Sequence, residues 1–118
     1  MDKEELKYRT KQYAIRIIRL VEALPKTRTG YAISNQLIRC GTSVAANYRA
    51  VCRARSRAEF IAKLGIVIEE ADESAFWLEL IVETKLMGED LIRSLLKETE
   101  EIISIMVVSS KTAKSFKS

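Results

Sequence analysis

The sequence predicts an all-α fold, an up-down-up-down four-helix bundle. Three observations carry that prediction. Apolar residues recur at alternating steps of three and four in four separate windows. The windows are joined by connections of only a few residues, which favours antiparallel neighbours. Only 4 Gly and 1 Pro occur in the whole chain, too little turn chemistry for a many-turned β-sandwich. With 118 residues, 47% of them apolar and 31% charged, the chain reads as a single globular domain over residues 1–118.

The first helix is predicted over about residues 4–24. Leu6, Tyr13, Ile17, Leu20 and Leu24 form its apolar stripe, and Pro25 cannot continue it. A connection over 25–30 follows, in which Thr27 or Thr29 is placed to cap the next helix. The second helix is predicted over about 31–53, with Ile33, Leu37, Cys40, Val44, Tyr48 and Val51 on its apolar arc. Gly41 sits inside that helix, where it costs about 1 kcal/mol against alanine; its presence suggests a close helix approach.

Ser56-Arg57-Ala58-Glu59 has the S-x-x-E form of a capping box immediately before an apolar run. In that arrangement Ser56 accepts from the Glu59 backbone N–H and the Glu59 side chain reaches back. The box opens a third helix over about 57–86, with Phe60, Leu64, Val67, Ala71, Leu78 and Val82 as its core stripe. Ile66, Trp77 and Leu80 form a second stripe on another face, as expected for an oligomer interface; the alternative is that Trp77 caps one end of the monomer core. Gly88 is expected to close this helix as a left-handed C-cap. The fourth helix is predicted over about 90–111, and the tail TAKSFKS is expected to fray.

Charge is distributed unevenly. Residues 1–57 hold 13 Lys/Arg against 4 Asp/Glu, a net of +9, and residues 58–118 hold 7 against 12, a net of −5. No acid occurs between Ala23 and Ala58. Arg39, Arg49 and Arg53 fall within an arc of about 80° on the second helix. Arg55 and Arg57 carry the run into the connection, and Lys63 follows on the third helix. Arginines in a row along a helix grip successive phosphates without reading sequence, so these six are the candidate nucleic-acid contacts. The alternative is a protein-interaction scaffold in which the arginines pair with Glu69, Glu70 and Glu73, within one chain or across subunits. Ser43 and Asn47 border this face, either as further polar contacts or as helix–helix hydrogen-bonding groups. Aromatic residues are only 7% of the chain, which favours structured RNA or duplex DNA over a stacked single strand.

Other chemistry finds little support. The chain has no histidine, which removes Ser/His/Asp and Cys/His triads and the Glu-x-x-His pairs of di-iron bundles. The four glycines are scattered, so no phosphate-cradling loop is visible. The carboxylates of the third helix spread over faces away from its core stripe, as solvated groups or arginine partners do. The expectation is a protein that is not an enzyme and that holds no cofactor or metal. Cys40 and Cys52 lie about 18 Å apart along one helix, too far for a disulfide, and read as reduced thiols. A charged N-terminus and a longest uncharged run of ten residues fit a cytoplasmic protein without a membrane segment.

The stretch Gln36-Leu37-Ile38-Arg39-Cys40-Gly41-Thr42-Ser43-Val44-Ala45-Ala46-Asn47-Tyr48-Arg49-Ala50, with Arg55-Ser56-Arg57-Ala58-Glu59-Phe60-Ile61-Ala62-Lys63-Leu64 after it, resembles a bacterial family. These are the four-helix bundle proteins encoded in intervening sequences of 23S rRNA genes. The resemblance extends from about Tyr13 to Val108. Many members carry Ala-Glu-Gly shortly after the asparagine, where this chain has Arg49-Ala50-Val51, so its face is more basic than is usual. The resemblance implies a homo-oligomeric bundle, typically a pentameric ring. It also implies kinship with the accessory protein of diversity-generating retroelements, a basic pentamer that binds nucleic acid and a protein partner.

Overall fold

A computed structural model describes residues 1–116. Four helices follow one another: α1 (Lys3–Ala23), α2 (Arg28–Cys52), α3 (Arg57–Glu83) and α4 (Glu89–Ser115). They form the expected bundle, a rod of 52 × 20 × 19 Å. Each helix packs on its successor, while α1 and α4 touch along a narrower seam.

The helix starts follow local chemistry. Asp2 caps α1 by accepting the Glu5 N–H at 2.8 Å, and that bond holds the Asp2 carboxyl below its ordinary range. Thr27 caps α2, accepting from Gly30 N at 3.1 Å, so this helix begins three residues earlier than the apolar pattern indicated. The chain folds back sharply there: a Cβ on Gly30 would lie 1.8 Å from the Pro25 carbonyl oxygen. Ser56 caps α3 as predicted, accepting from Glu59 N at 3.0 Å. The Glu59 carboxylate reaches back to the N–H of Arg55, at a long 3.5 Å, rather than to that of Ser56.

The α3–α4 connection differs from expectation. α3 ends at Glu83, three residues early, and Lys85 takes the left-handed position with φ 54°. The Lys85 N–H donates to the Val82 carbonyl at 3.1 Å and the Leu86 N–H to the Ile81 carbonyl at 3.2 Å. This pair of hydrogen bonds is a Schellman closure, and Leu86 packs back against the core. Gly88 instead precedes α4 as its N-cap, with φ −57° and no side chain to offer. α4 then runs to Ser115, through most of the tail expected to fray, because Met106 and Ser110 keep its inner face buried. Lys117 and Ser118 lie outside the described residues.

Two helices approach closely at Gly41. A Cβ there would come within 2.8 Å of both Ile17 Cγ atoms, and Ile17 is fully buried. The suspected close approach is thus between α1 and α2. Near this level each helix contributes one buried polar side chain: Tyr13, Cys40, Ser74 and Thr99. The Thr99 hydroxyl donates to the Leu95 carbonyl at 2.8 Å, so the Tyr13 hydroxyl donates to Thr99 Oγ1 at 2.7 Å. Ser74 Oγ stands 3.2 Å from Cys40 Sγ and 2.9 Å from the Glu70 carbonyl. Among the described residues, no buried side-chain nitrogen or oxygen lacks a partner. Burial pushes the Tyr13 phenol up to about 12 and the Cys40 thiol above its ordinary value.

The narrow α1–α4 seam is closed by long side chains. Arg9 donates from Nε and Nη2 to the two Glu98 carboxylate oxygens at 2.7 and 2.6 Å, and from Nη2 to Glu101 at 3.2 Å. Arg16 donates to Ser94 Oγ at 3.1 Å. Among the described residues, no helix is long and apolar enough to cross a membrane.

Two predictions follow from this packing. Gly41→Ala gains about 1 kcal/mol of helix propensity but meets Ile17 at a cost of about 1–3 kcal/mol. We expect net destabilisation in urea unfolding, turning to stabilisation of up to about 1 kcal/mol when Ile17→Ala opens the space. The second concerns Tyr13, whose phenol keeps its proton to about pH 12 in the folded chain and releases it near pH 10 when unfolded. Its contribution is complete below pH 10 and is lost as pH rises through about 12, of order 2–3 kcal/mol. Unfolding midpoints compared across that window should fall further for the wild type than for Tyr13→Phe.

Candidate functional site

The antiparallel topology gathers the starts of α1 and α3 and the ends of α2 and α4 at one pole of the rod. The basic residues concentrate there. α2 supplies Arg49 and Arg53, one helical turn apart on its exposed side, because Val44, Tyr48 and Val51 take its inner side. The α2–α3 connection supplies Arg55, and α3 supplies the half-buried Lys63. These four cations line one open groove of about 540 Å³ between α2 and α3. Its floor is Ala46 and Ala50, whose small side chains leave the space. Glu59 is the one carboxylate among the described residues lining it.

None of the four cations is ion-paired among the described residues. Like charges at i and i+4 repel by a few tenths of a kcal/mol on a helix surface. Arg49 and Arg53 carry that cost with no ion pair to offset it among the described residues. An open groove lined by unpaired cations attracts polyanions and presents several donors to successive phosphates.

The other two predicted contacts are placed differently. Arg39 donates to Glu70 at 3.2 Å and to Glu73. Glu73 also accepts from Trp77 Nε1 at 3.1 Å, and Arg39 chiefly holds the Glu73 carboxyl below its ordinary range. For this residue the self-pairing alternative is what the structure shows. Arg57 donates to the Phe116 carbonyl, which ties the start of α3 to the end of α4. Asn47 bonds back to the Ser43 carbonyl at 2.9 Å, within its own helix, so neither expected role for this pair applies to that bond.

The proposed interface stripe on α3 is uneven. Ile66 is 44% exposed, whereas Trp77 is half-buried against the core and Leu80 is half-buried. Phe76, which the stripe omitted, is 51% exposed and meets the Trp77 ring edge-on at 5.1 Å.

Sequence reasoning also missed the α1 side of the pole. A second groove, about 650 Å³, runs between α1 and α2. Glu4, Lys7, Tyr8, Lys11 and Gln12 form its α1 wall, with Glu4 paired to Lys7 at 3.5 Å; Ala45 and Ala46 are its floor, and Arg49 lines both grooves. The available signal was the i, i+4 spacing of Lys7 with Lys11 and of Tyr8 with Gln12, opposite an alanine pair in α2. Among the described residues, no group of three or more Cys, Asp or Glu stands together to hold a metal ion.

A family model described as 23S rRNA-intervening sequence protein matches residues 3–108. The chain belongs to this family. The resemblance carried by Gln36–Ala50 and Arg55–Leu64 is borne out. A crystal structure of a protein with unknown function from the S23 ribosomal protein family of Bacteroides thetaiotaomicron VPI-5482 is similar, with a TM-score of 0.87 and 33% identity. The match covers 94% of this chain and 99% of that one. No curated protein matches the chain.

In this member of the 23S rRNA-intervening sequence protein family, Glu59 both belongs to a helix cap and stands in the basic groove. Glutamine also serves at that capping position, so Glu59→Gln should keep thermal stability within about 0.5 kcal/mol. It should raise the salt concentration needed to elute the protein from heparin, by removing the carboxylate from the groove.

Proposed function

We propose that this protein is a non-enzymatic, homo-oligomeric bundle that binds structured nucleic acid, RNA in preference to duplex DNA. The observation that supports the reading is the convergence of Arg49, Arg53, Arg55 and Lys63 on one open groove, where none of the four is ion-paired among the described residues. Neutralising phosphates releases counterions, and each contact adds to the affinity without specifying sequence. The aromatic content is low, which suits a paired backbone better than a stacked single strand. Self-association, as a pentameric ring in the resemblance read from sequence, would repeat the groove in each copy and convert weak contacts into avidity. The exposed Ile66 and Phe76 on α3 support self-association. Glu70 and Glu73 of α3 serve as arginine and tryptophan partners in this reading rather than as acid–base groups.

A second reading has one observation in its favour. Arg39 is already paired with Glu70 and Glu73, as a protein-interaction scaffold built on internal salt bridges requires. Arg49 and Arg53 discriminate the two readings because neither is ion-paired among the described residues.

The test is binding of nuclease-treated protein to an RNA hairpin and to duplex DNA across a salt series. Arg49→Glu combined with Arg53→Glu should weaken RNA binding by more than about tenfold and flatten the logarithmic salt dependence by about two. Sedimentation should show the same assembly as the wild type. Unchanged affinity would discard the groove, and dissociation of the assembly would favour the scaffold.

A further inference from the structure

We propose that Tyr8 and Gln12 form a subsite for one unpaired nucleobase, so that the preferred ligand is a paired RNA stem interrupted by a bulged nucleotide. The inference rests on the nucleic-acid reading above and names its substrate class. It starts from the α1–α2 groove, whose volume of about 650 Å³ lies in the ordinary range for ligand sites. Tyr8 is 59% exposed and lies outside the apolar core, so its ring contributes little to the fold. It stands between Lys7 and Lys11 in sequence and lines the groove with both. Gln12 follows one turn later on the same exposed face.

The residue types are complementary to a base and its flanking phosphates. A tyrosine ring offers a flat face for stacking, which tolerates any base. The glutamine amide carries both donors and an acceptor, which suits the edge of a base no longer paired. Lys11 and Arg49 supply positive charge around them, while Lys7 pairs with Glu4, which also lines the groove, at 3.5 Å. Arg49 joins this subsite to the α2–α3 groove, so one ligand reaches both by crossing α2 over Ala46.

The number of bases follows from the aromatic content of the surface. Proteins that follow a single strand present successive aromatic platforms. Tyr8 is the one aromatic side chain among the described residues lining either groove. One platform beside the basic α2–α3 groove fits one extruded base beside a paired backbone. A bulged nucleotide is already unpaired, so capturing it costs less unstacking than extracting a base from a continuous stem.

The test compares two RNA hairpins of the same stem sequence, one fully paired and one carrying a single bulged adenine. Affinities are measured by fluorescence anisotropy for the wild type, Tyr8→Ala and Tyr8→Phe. The wild type should bind the bulged hairpin about fivefold or more tightly, the lower bound for one aromatic–base stack. Tyr8→Ala should abolish that difference and leave the paired hairpin within about twofold, while Tyr8→Phe retains the preference. Because Tyr8 is exposed, thermal unfolding of both variants should match the wild type. Equal wild-type affinities for the two hairpins, or an equal loss on both with Tyr8→Ala, would overturn the subsite while leaving the arginine groove intact. Binding of neither hairpin by the wild type would overturn the nucleic-acid reading and this inference together.

Discussion

The axial register of the four helices depends on the polar layer at the waist of the bundle. Tyr13, Cys40, Ser74 and Thr99 come one from each helix and are all buried. A polar group left without a partner in such a place costs about 1–3 kcal/mol. Sliding α1 by one turn, about 5.4 Å, would separate Tyr13 from Thr99 and impose that cost. It would also carry Ile17 away from Gly41, where α1 and α2 approach closely. Apolar stripes alone tolerate such slips, because one leucine layer resembles the next; a hydroxyl with a single partner does not. The same register reaches the surface. Lys7 lies six residues before Tyr13 and Ala46 six residues after Cys40, so antiparallel packing brings both about 9 Å along from the layer. There they share the α1–α2 groove with Tyr8 and Arg49.

Register also decides which cations are neutralised. The acids of the second half of the chain lie mainly along the middle of α3 and the first half of α4. Arg39, near the waist, therefore reaches Glu70 and Glu73, and Arg9 reaches Glu98 and Glu101 across the α1–α4 seam. The Arg9 hydrogen bonds to Glu98 raise its guanidinium pKa and keep the charge on the helix pair. Arg49, Arg53, Arg55 and Lys63 lie beyond the acids, with Glu59 as their lining carboxylate. The excess charge of residues 1–57 is thus divided between cations paired within the fold and, at its pole, Arg49, Arg53 and Arg55, which are not ion-paired among the described residues.

The helices were legible because burial imposes a period that any sequence window displays. Tyr13, Ile17 and Leu20 in α1, and Ile33, Leu37 and Val44 in α2, are buried as their spacing requires. Ser56 was legible as a cap because its partner is three residues away. Thr27 had a competitor two residues on, and the apolar pattern could not choose between them. Lys85 was hidden for a different reason: a backbone with φ 54° usually signals itself through glycine, and here a lysine accepts the strain. The site was legible in part. Arg49 and Arg53 show their shared face through helical spacing alone. The partners of Arg39 and Arg57, and the opposition of Lys7 and Tyr8 to the alanines of α2, depend on how two helices align, and no local pattern encodes that.

The division between waist and pole affects how variants can be read. At Arg9, a substitution removes a bidentate bond that closes a seam, so its effect on binding would be mixed with loss of structure. Arg39 has the same defect, since Glu70, Glu73 and Trp77 would be left to rearrange. At Arg49 and Arg53 no ion-pair partner among the described residues is abandoned, and relief of their mutual repulsion works against destabilisation. Ala46 is informative in another way, because it lies on the floor of both grooves and carries no charge. A leucine there would narrow both grooves from an exposed helix position without changing the field around them. Loss of binding from that change would report on shape, and loss from the arginine changes would report on charge. A surface that depends on both must be an interface built at the pole, and a surface that depends on charge alone is no more than a basic patch.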